Sequence, residues 1–160
     1  DTPVLILGAG GAARAIIYGF LQAGVERVVV ANRSRERAVQ LVKYFGPNVQ
    51  SVDWEERNGV ARAAGVIVNT TTLGMKGNGD PGIDFAHARQ DAVAADIVYV
   101  PLETAFLKSA RTHGLTTVDG LGMLLHQAVR GFSLWFGVTP EVTPELRAMV
   151  EADLAKPKPE

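Results

Sequence analysis

The stretch that decides the fold is Val4-Leu5-Ile6-Leu7-Gly8-Ala9-Gly10-Gly11-Ala12-Ala13. A short apolar run predicts a buried strand, and a G-x-G-x-x-A pattern follows it directly and opens an amphipathic helix. This succession of strand, glycine turn and helix is typical of the first unit of a dinucleotide-binding Rossmann fold. Gly8 permits the tight turn, Gly10 lets the backbone approach a pyrophosphate, and Ala13 allows close packing of helix on strand.

The rest of the chain alternates short β-rich runs with helix-length amphipathic runs. Predicted strands cover residues 4–7, 27–31, 49–53, 65–70, 94–100 and 116–118. Predicted helices cover residues 11–23, 35–45, about 55–63, 104–113 and 121–136, and a last helix begins near Pro144. The predicted fold class is therefore α/β: a Rossmann-type doubly wound parallel sheet of about six strands with helices on both faces, plus C-terminal helices.

The composition is that of an ordinary globular domain. The chain has 160 residues, of which 47% are hydrophobic and 21% are charged, with a formal net charge of -1. Because this length suffices for one substantial core and is short for two, we expect one domain over residues 1–155 and a disordered tail over residues 156–160. Since no methionine precedes Asp1-Thr2-Pro3 and a strand follows at once, we expect a piece of a larger protein.

Charge and hydropathy argue against two classes of partner. A protein that binds nucleic acid is expected to carry a cluster of basic residues, and one that spans a bilayer needs an apolar run of about 20 residues. The sequence has neither. The sequence also has no cysteine, which excludes disulfides and thiolate chemistry and fits a reducing compartment. His87, His113 and His126 lack the spacing of metal ligands, so no metal site is expected.

The second predicted strand runs into Asn32-Arg33-Ser34-Arg35-Glu36-Arg37. NAD-dependent enzymes of this fold commonly have an acidic residue here for the ribose 2′-hydroxyl, whereas an arginine accommodates a 2′-phosphate. Ser34 is suited to cap the next helix, which places Arg35 and Arg37 in its first turn, where cations oppose the helix dipole. A bound phosphate would offset that cost, and Arg33 and Arg37 are the best candidates to hold it. The alternative is a solvated basic turn that binds nothing.

Four segments together resemble the shikimate dehydrogenase family. They are Gly8-Ala9-Gly10-Gly11-Ala12; Asn32-Arg33-Ser34 with Arg37; Asn69-Thr70-Thr71-Thr72-Leu73-Gly74-Met75; and a segment with Asp96-Ile97-Val98-Tyr99-x-Pro101-x-x-Thr104 and Asp119-Gly120-Leu121-Gly122-Met123-Leu124-x-x-Gln127. The last segment is the most specific. The similarity covers roughly residues 4–137 and is to the family's C-terminal, NADP-binding domain. Val100 departs from the family, which usually has a polar residue there.

The resemblance implies NADP as the cofactor and assigns roles to individual residues. The candidate cofactor-binding residues are Gly8, Ala9, Gly10, Gly11, Ala12, Asn32, Arg33, Ser34, Arg37, Thr71, Ile97, Gly120 and Met123. By the same resemblance, the backbone at Ile97 and Gly120 lies near the nicotinamide, while Tyr99 and Gln127 face the substrate. The alternatives are a tyrosine that packs a strand end and a glutamine on a solvated helix face.

The family's proton-handling lysine and aspartate belong to an N-terminal substrate domain, and no segment of this chain matches their motif. We therefore expect no catalytic residue here and no activity from this chain alone. The resemblance implies that the full-length enzyme reduces 3-dehydroshikimate reversibly to shikimate with NADPH, in the biosynthesis of aromatic amino acids. It also implies a cytoplasmic enzyme whose substrate is shared with the N-terminal domain, and a homodimer is compatible with it.

Three alternatives stay open. A quinate or quinate/shikimate dehydrogenase of the same superfamily often uses NAD and tends to show an acidic residue where Asn32-Arg33 stand. The related domain of glutamyl-tRNA reductase shares the glycine loop and the Asn-Arg turn, but is not expected to carry the segments of Tyr99, Gly120 and Gln127 together. A nucleotide-binding module without a reaction of its own is the third.

Overall fold

The computed structural model of the protein describes residues 2–76 and 78–156. The chain divides into two compact units, residues 1–119 and residues 120–160. Among the described residues, the first unit contains a six-stranded sheet with four α-helices, and the second contains two α-helices. The expected single domain over residues 1–155 stays a prediction.

The six strands form one parallel sheet. They are β1 (Val4–Leu7), β2 (Val28–Ala31), β3 (Val49–Val52), β4 (Val66–Asn69), β5 (Val93–Asp96) and β6 (Thr116–Val118). Their order is β3-β2-β1-β4-β5-β6, and every neighbouring pair is parallel. This order confirms the predicted Rossmann-type sheet and reverses direction between β1 and β4, the switch point at which open α/β sheets bind ligands.

Helices cover the sheet because side chains of each strand alternate between its two faces. The helices of the first unit are α1 (Gly11–Gln22), α2 (Arg35–Phe45), α3 (Arg57–Ala61) and α4 (Ala105–Thr112). One core contains strand residues together with residues of α1 and α2, among them Val4, Ile6, Ile17, Val30 and Leu41. The other contains strand residues with residues of α3 and α4, among them Leu5, Leu7, Ala61, Ile67 and Phe106. Two covered faces explain the continuous apolar runs of the strands.

Two elements differ from the prediction by more than one residue at an end, and each has a local cause. The fifth strand, predicted over residues 94–100, ends at Asp96, where the side-chain Oδ1 accepts a hydrogen bond from the Val98 N–H at 3.0 Å. This turn takes the backbone out of the ladder. The helix predicted over residues 55–63 begins as a 3-10 turn, Trp54–Glu56, which the Asp53 and Glu56 side chains cap reciprocally.

The second unit consists of α5 (Leu121–Phe136) and α6 (Pro144–Leu154), as predicted. Gly137 ends α5 in the left-handed conformation, φ 70°. Thr143 is the N-cap of α6, and its hydroxyl oxygen accepts a hydrogen bond from the Leu146 N–H at 3.2 Å. Large apolar side chains are exposed on this unit: Leu134, Trp135, Phe136, Val138 and Met149.

Two absences hold for the described residues alone. No helix within residues 2–76 and 78–156 has both the length and the apolar character needed to span a membrane. The same residues contain no group of histidine, aspartate and glutamate side chains that could hold a metal ion. The predicted disordered tail falls mainly on residues 157–160, which lie outside the described part.

Candidate functional site

The C-terminal ends of four strands lie along one edge of the sheet. Leu7 of β1 is in register with Ala31 of β2 on one side and with Asn69 of β4 on the other, and Asn69 is in register with Asp96 of β5. The Gly8 N–H donates to the Ala31 carbonyl at 2.8 Å, so the glycine loop begins beside the Asn-Arg turn. Three of the predicted site segments therefore meet at the switch point of the sheet.

Gly8 occupies a position that only glycine fits. Its φ is 107°, outside the range of ordinary L-residues. A Cβ atom at Gly8 would lie 2.8 Å from Thr70 Oγ1 and 2.9 Å from Thr71 Cγ2. The glycine loop and the loop after β4 thus approach each other more closely than a methyl group allows.

We expect Gly8→Ala to lower the free energy of unfolding by on the order of 1–3 kcal/mol, the usual cost of a strained backbone residue, to which the two contacts add. Urea unfolding followed by circular dichroism measures the loss. Gly11→Ala is the matched control, because a Cβ atom there meets nothing within 4 Å. A Gly8→Ala chain as stable as the control would contradict the steric argument.

The N-terminus of α1 is free to receive an anion. Gly10 stands at its N-cap, where no side chain caps the helix, and both Gly10 and Gly11 are exposed. A Cβ atom at either glycine would meet nothing within 4 Å. The first backbone N–H groups of a helix have no partner within it, and the helix dipole adds partial positive charge there. The open space and the aligned donors fit a pyrophosphate.

The three alanines of this loop differ in how deeply they are buried. Ala9 and Ala12 are half-buried, whereas Ala13 is fully buried in the core between α1 and the sheet. Ala13 therefore packs as predicted. Ala9 and Ala12 leave room at the loop because their side chains are single methyl groups.

The turn after β2 is shaped by Asn32, whose side-chain Nδ2 donates to the Ser34 carbonyl at 2.8 Å. Ser34 stands at the N-cap of α2, as predicted, but its side chain accepts no capping hydrogen bond. The first N–H groups of α2 are therefore left to other acceptors. This hydroxyl was predicted to cap the helix, and the structure corrects that detail.

The three arginines of this turn differ in their surroundings. Arg35 is paired with Asp53 at 3.6 Å between Nη1 and Oδ2. Arg33 and Arg37 are exposed, and neither forms an ion pair with a carboxylate in the part of the chain that the structure describes. They are the two arginines that the sequence singles out for phosphate binding, and both are available for it.

Thr71 and Ile97 are tied into the sheet edge by their polar atoms. The Thr71 hydroxyl donates to Asn69 Oδ1 at 2.7 Å and accepts from the Leu73 N–H at 3.0 Å. The Ile97 N–H donates to the Asn69 carbonyl at 3.1 Å. The donor groups of these two residues are therefore engaged, and what they can still offer a ligand is apolar contact or an oxygen that accepts a hydrogen bond. Tyr99 is half-buried and lies beyond the end of β5, not on the strand as predicted.

A buried cluster of polar side chains lies at the same edge of the sheet, and the sequence analysis assigned no role to it. Asp96 Oδ1 accepts from Asn69 Nδ2 at 2.9 Å, and Asp96 Oδ2 accepts from the Thr104 hydroxyl at 2.7 Å. Burial raises the pKa of Asp96, and the hydrogen bonds that its carboxylate accepts act in the opposite direction. The available signal was a polar residue at the end of each of two apolar strands.

The remaining predicted residues lie in the second unit. Gly120 is the N-cap of α5 and is buried, and its carbonyl accepts from the Leu124 N–H at 3.2 Å. Met123 and Gln127 are exposed and share a helix face because they are four residues apart. Their roles toward nicotinamide and substrate stay predictions.

Comparison with known proteins places these features in a family. Residues 1–75 match the family described as shikimate / quinate 5-dehydrogenase, and residues 120–149 match the shikimate 5'-dehydrogenase C-terminal domain. A shikimate dehydrogenase (NADP(+)) of Rhodopseudomonas palustris is 57% identical over 151 residues, which are 94% of this chain and 54% of that protein. One of Azorhizobium caulinodans is 55% identical with the same coverage. The chain spans about half the length of the curated relatives it matches.

Solved structures show the same architecture. The quinate dehydrogenase of Corynebacterium glutamicum in complex with NAD is 34% identical, with a TM-score of 0.84 over 94% of this chain and 55% of that one. The shikimate 5-dehydrogenase of Thermus thermophilus in complex with NADP(H) and shikimate is 35% identical, with a TM-score of 0.79 over 94% of this chain and 54% of that one.

Proposed function

This chain belongs to the shikimate dehydrogenase family, and from this premise we propose that it binds NADP(H) as the cofactor-binding half of an enzyme that interconverts 3-dehydroshikimate and shikimate. The observation that carries the proposal is the uncapped, open N-terminus of α1 beside a turn with two available arginines. The names of the curated relatives, which specify NADP(+), support the choice of cofactor.

Each part of the cofactor has its own group of candidate residues. Backbone N–H groups of the loop at residues 8–12 donate hydrogen bonds to the pyrophosphate at the start of α1. Arg33 and Arg37 bind the 2′-phosphate through charge-assisted hydrogen bonds. Asn32 and Ser34 shape the adenosine side. Thr71 belongs to the adenosine side as well, the backbone at Ile97 and Gly120 lies near the nicotinamide, and Met123 is a further candidate contact to the cofactor. Bound NADPH would supply the hydride, or bound NADP+ would accept it in the reverse direction, and the part of this chain is to bind the cofactor and orient its reactive ring.

The substrate side is completed by residues that this chain does not contain. Tyr99 and Gln127 offer a phenol and an amide to the hydroxyl groups of shikimate or 3-dehydroshikimate. The proton passes through the lysine and aspartate of the substrate domain that the resemblance implies. The cytoplasmic location and the homodimer stay predictions of the same kind.

A quinate dehydrogenase that uses NAD is the second candidate, favoured by the similarity to the Corynebacterium glutamicum enzyme. It predicts the opposite cofactor preference. An NAD enzyme gains from an acidic residue that binds the 2′-hydroxyl, whereas this chain has Asn32-Arg33 at the corresponding turn.

We expect the chain to bind NADP+ more tightly than NAD+, because Arg33 and Arg37 can pair only with the 2′-phosphate. Arg33→Ala should weaken NADP+ binding by about 1.5–3 kcal/mol, roughly 10- to 150-fold, and leave NAD+ binding nearly unchanged. Isothermal titration calorimetry with both dinucleotides measures the four affinities.

Arg35→Ala is the matched control, since it removes the same charge from the same turn but from a side chain engaged with Asp53. Its NADP+ affinity should stay close to that of the parent chain. Equal affinities of the parent for NADP+ and NAD+ would contradict the phosphate assignment, and binding of neither would contradict the proposal as a whole.

A further inference from the structure

Thr70 directly follows β4 and is buried, with 7% of the residue exposed. Its hydroxyl donates to the Leu7 carbonyl at 2.7 Å. The same carbonyl accepts from the Thr70 N–H at 2.9 Å, a bond that continues the parallel ladder of β1 and β4 by one residue. Thr70 therefore holds the Leu7 carbonyl with two hydrogen bonds, and the one from the hydroxyl depends on the choice of side chain.

The Leu7 carbonyl and the Gly8 N–H belong to one peptide group, which is fixed from both sides. The Gly8 N–H donates to the Ala31 carbonyl at the end of β2 at 2.8 Å, while Thr70 holds the carbonyl from the end of β4. Because a peptide group is planar, these three hydrogen bonds leave it little freedom to tilt. It is the last peptide group before residues 8–12, so its plane sets the direction in which the glycine loop leaves the sheet.

Gly8 would otherwise be the most adaptable point of this connection. A glycine populates φ angles that other residues avoid, and the φ of Gly8 is 107°. Thr70 packs closely against it, since a Cβ atom at Gly8 would lie 2.8 Å from Thr70 Oγ1. The hydroxyl therefore binds the carbonyl that precedes Gly8 and also confines Gly8 itself.

Burial alone does not require a threonine after β4. An alanine would occupy the same place without a buried hydroxyl, which costs free energy unless it is hydrogen-bonded. What an apolar side chain cannot do is hold the Leu7 carbonyl in a fixed direction. The location of this hydrogen bond, directly before the glycine loop, indicates that its contribution is geometric.

We propose that Thr70 is a positioning residue that holds the start of the glycine loop in the conformation that presents its backbone N–H groups to the pyrophosphate of the cofactor. The proposal rests on the proposed function, because it takes the glycine loop to bind that pyrophosphate. Thr70 is buried and acts through Leu7 and Gly8, not by contact with the cofactor.

The test compares 2′-phospho-ADP-ribose with 2′-AMP. Both contain the adenosine and the 2′-phosphate, and only the first contains the pyrophosphate. Thr71, on the adenosine side, is held by Asn69 Oδ1 and not by Thr70, so the adenosine contacts that the two ligands share should persist in Thr70 variants. Calorimetry measures the first ligand directly and the second by its competition with the first.

Thr70→Ala and Thr70→Ser both lose the methyl group, and they differ by the hydroxyl alone. The apparent affinity of a ligand falls with the fraction of molecules whose site is in the binding conformation. We expect Thr70→Ala to weaken binding of 2′-phospho-ADP-ribose by roughly five- to tenfold, within the range of one neutral hydrogen bond, and to leave binding of 2′-AMP within about twofold. Thr70→Ser should bind both ligands like the parent chain.

Leu115→Val is the control for a merely structural lesion. Leu115 is a buried core residue directly before β6, at the edge of the sheet opposite the site. This variant should lower the melting temperature by about 2–4 °C and leave both affinities unchanged. Thermal unfolding and calorimetry of the whole 160-residue chain supply the two readouts.

The outcomes separate this inference from the proposed function. A parent chain that binds neither ligand, or only one of them, would overturn the proposed function and this inference with it. Where the parent binds both, an equal loss of both in Thr70→Ala, or a loss of neither, would overturn the positioning role alone. A Thr70→Ser chain that binds as weakly as Thr70→Ala would also overturn it. Thr70→Val, which lacks the hydroxyl as well, should show the same selective loss and decides the matter if Thr70→Ala does not fold.

Discussion

Gly10→Val is expected to abolish detectable binding of both NADP+ and NAD+ while the chain stays folded. Gly10 has an extended backbone, φ -93° and ψ -168°, which valine adopts readily, and a Cβ atom there meets no protein atom within 4 Å. The added side chain would instead fill the space in front of the first N–H groups of α1. Loss of two charge-assisted hydrogen bonds to the pyrophosphate costs at least about 3 kcal/mol, roughly 150-fold in affinity.

Calorimetry with both dinucleotides measures this loss, and circular dichroism reports the fold. Gly19→Val is the matched control, because Gly19 lies further along α1 and a Cβ atom there also meets nothing within 4 Å. The control should bind like the parent chain. Parental affinity in a folded Gly10→Val chain would mean that the glycine loop is a turn and nothing more.

The second large effect concerns turnover: we expect this chain to show no measurable oxidation of NADPH by 3-dehydroshikimate, even at saturating cofactor. General acid–base help is typically worth about 10²- to 10⁴-fold, and loss of the orientation of the second reactant removes more. Among the described residues the lysines are Lys43, Lys76, Lys108 and Lys156, and none lies in a segment that resembles the family's catalytic motif.

The measurement follows NADPH absorbance with chain, cofactor and 3-dehydroshikimate, and a two-domain shikimate dehydrogenase of the family serves as the positive control. Calorimetry on the same sample shows that the cofactor is bound, so that a silent assay reports the chemistry and not a failure to bind. Steady turnover that Tyr99→Phe or Gln127→Ala abolishes would show that this chain contains the catalytic residues.

Apolar periodicity and glycine chemistry predicted most of the fold. The strand Val4–Leu7 and the helices Arg35–Phe45 and Leu121–Phe136 have the predicted bounds, because their patterns depend on burial and on local turns. The fifth strand is shorter than predicted because the Asp96 side chain competes for the Val98 N–H. That competition is a single hydrogen bond, and no apolar pattern records it.

The candidate site was predictable in its location and less so in its contacts. Gly8, Gly10 and Arg33 could be singled out because the fold fixes what each position needs. The internal hydrogen bonds of Thr71 depend on the conformation of the loop after β4. The pairing of Arg35 with Asp53 depends on which loops become neighbours when the sheet forms. Asn69 and Asp96 are 27 residues apart in sequence and meet only through the pairing of β4 with β5.

The strand order also has a consequence for the rate at which the chain folds. Most neighbouring strands are joined by one crossover, but the pairing of β1 with β4 joins Val4 to Val66 across the whole β1-β2-β3 half of the sheet. Closing so long a loop costs more entropy than closing any single crossover, and nonlocal pairing slows folding. The sheet is therefore expected to assemble as two three-stranded halves whose junction forms late. Because that same junction lies beneath the glycine loop, we expect the nucleotide site to be complete only after this late contact has formed.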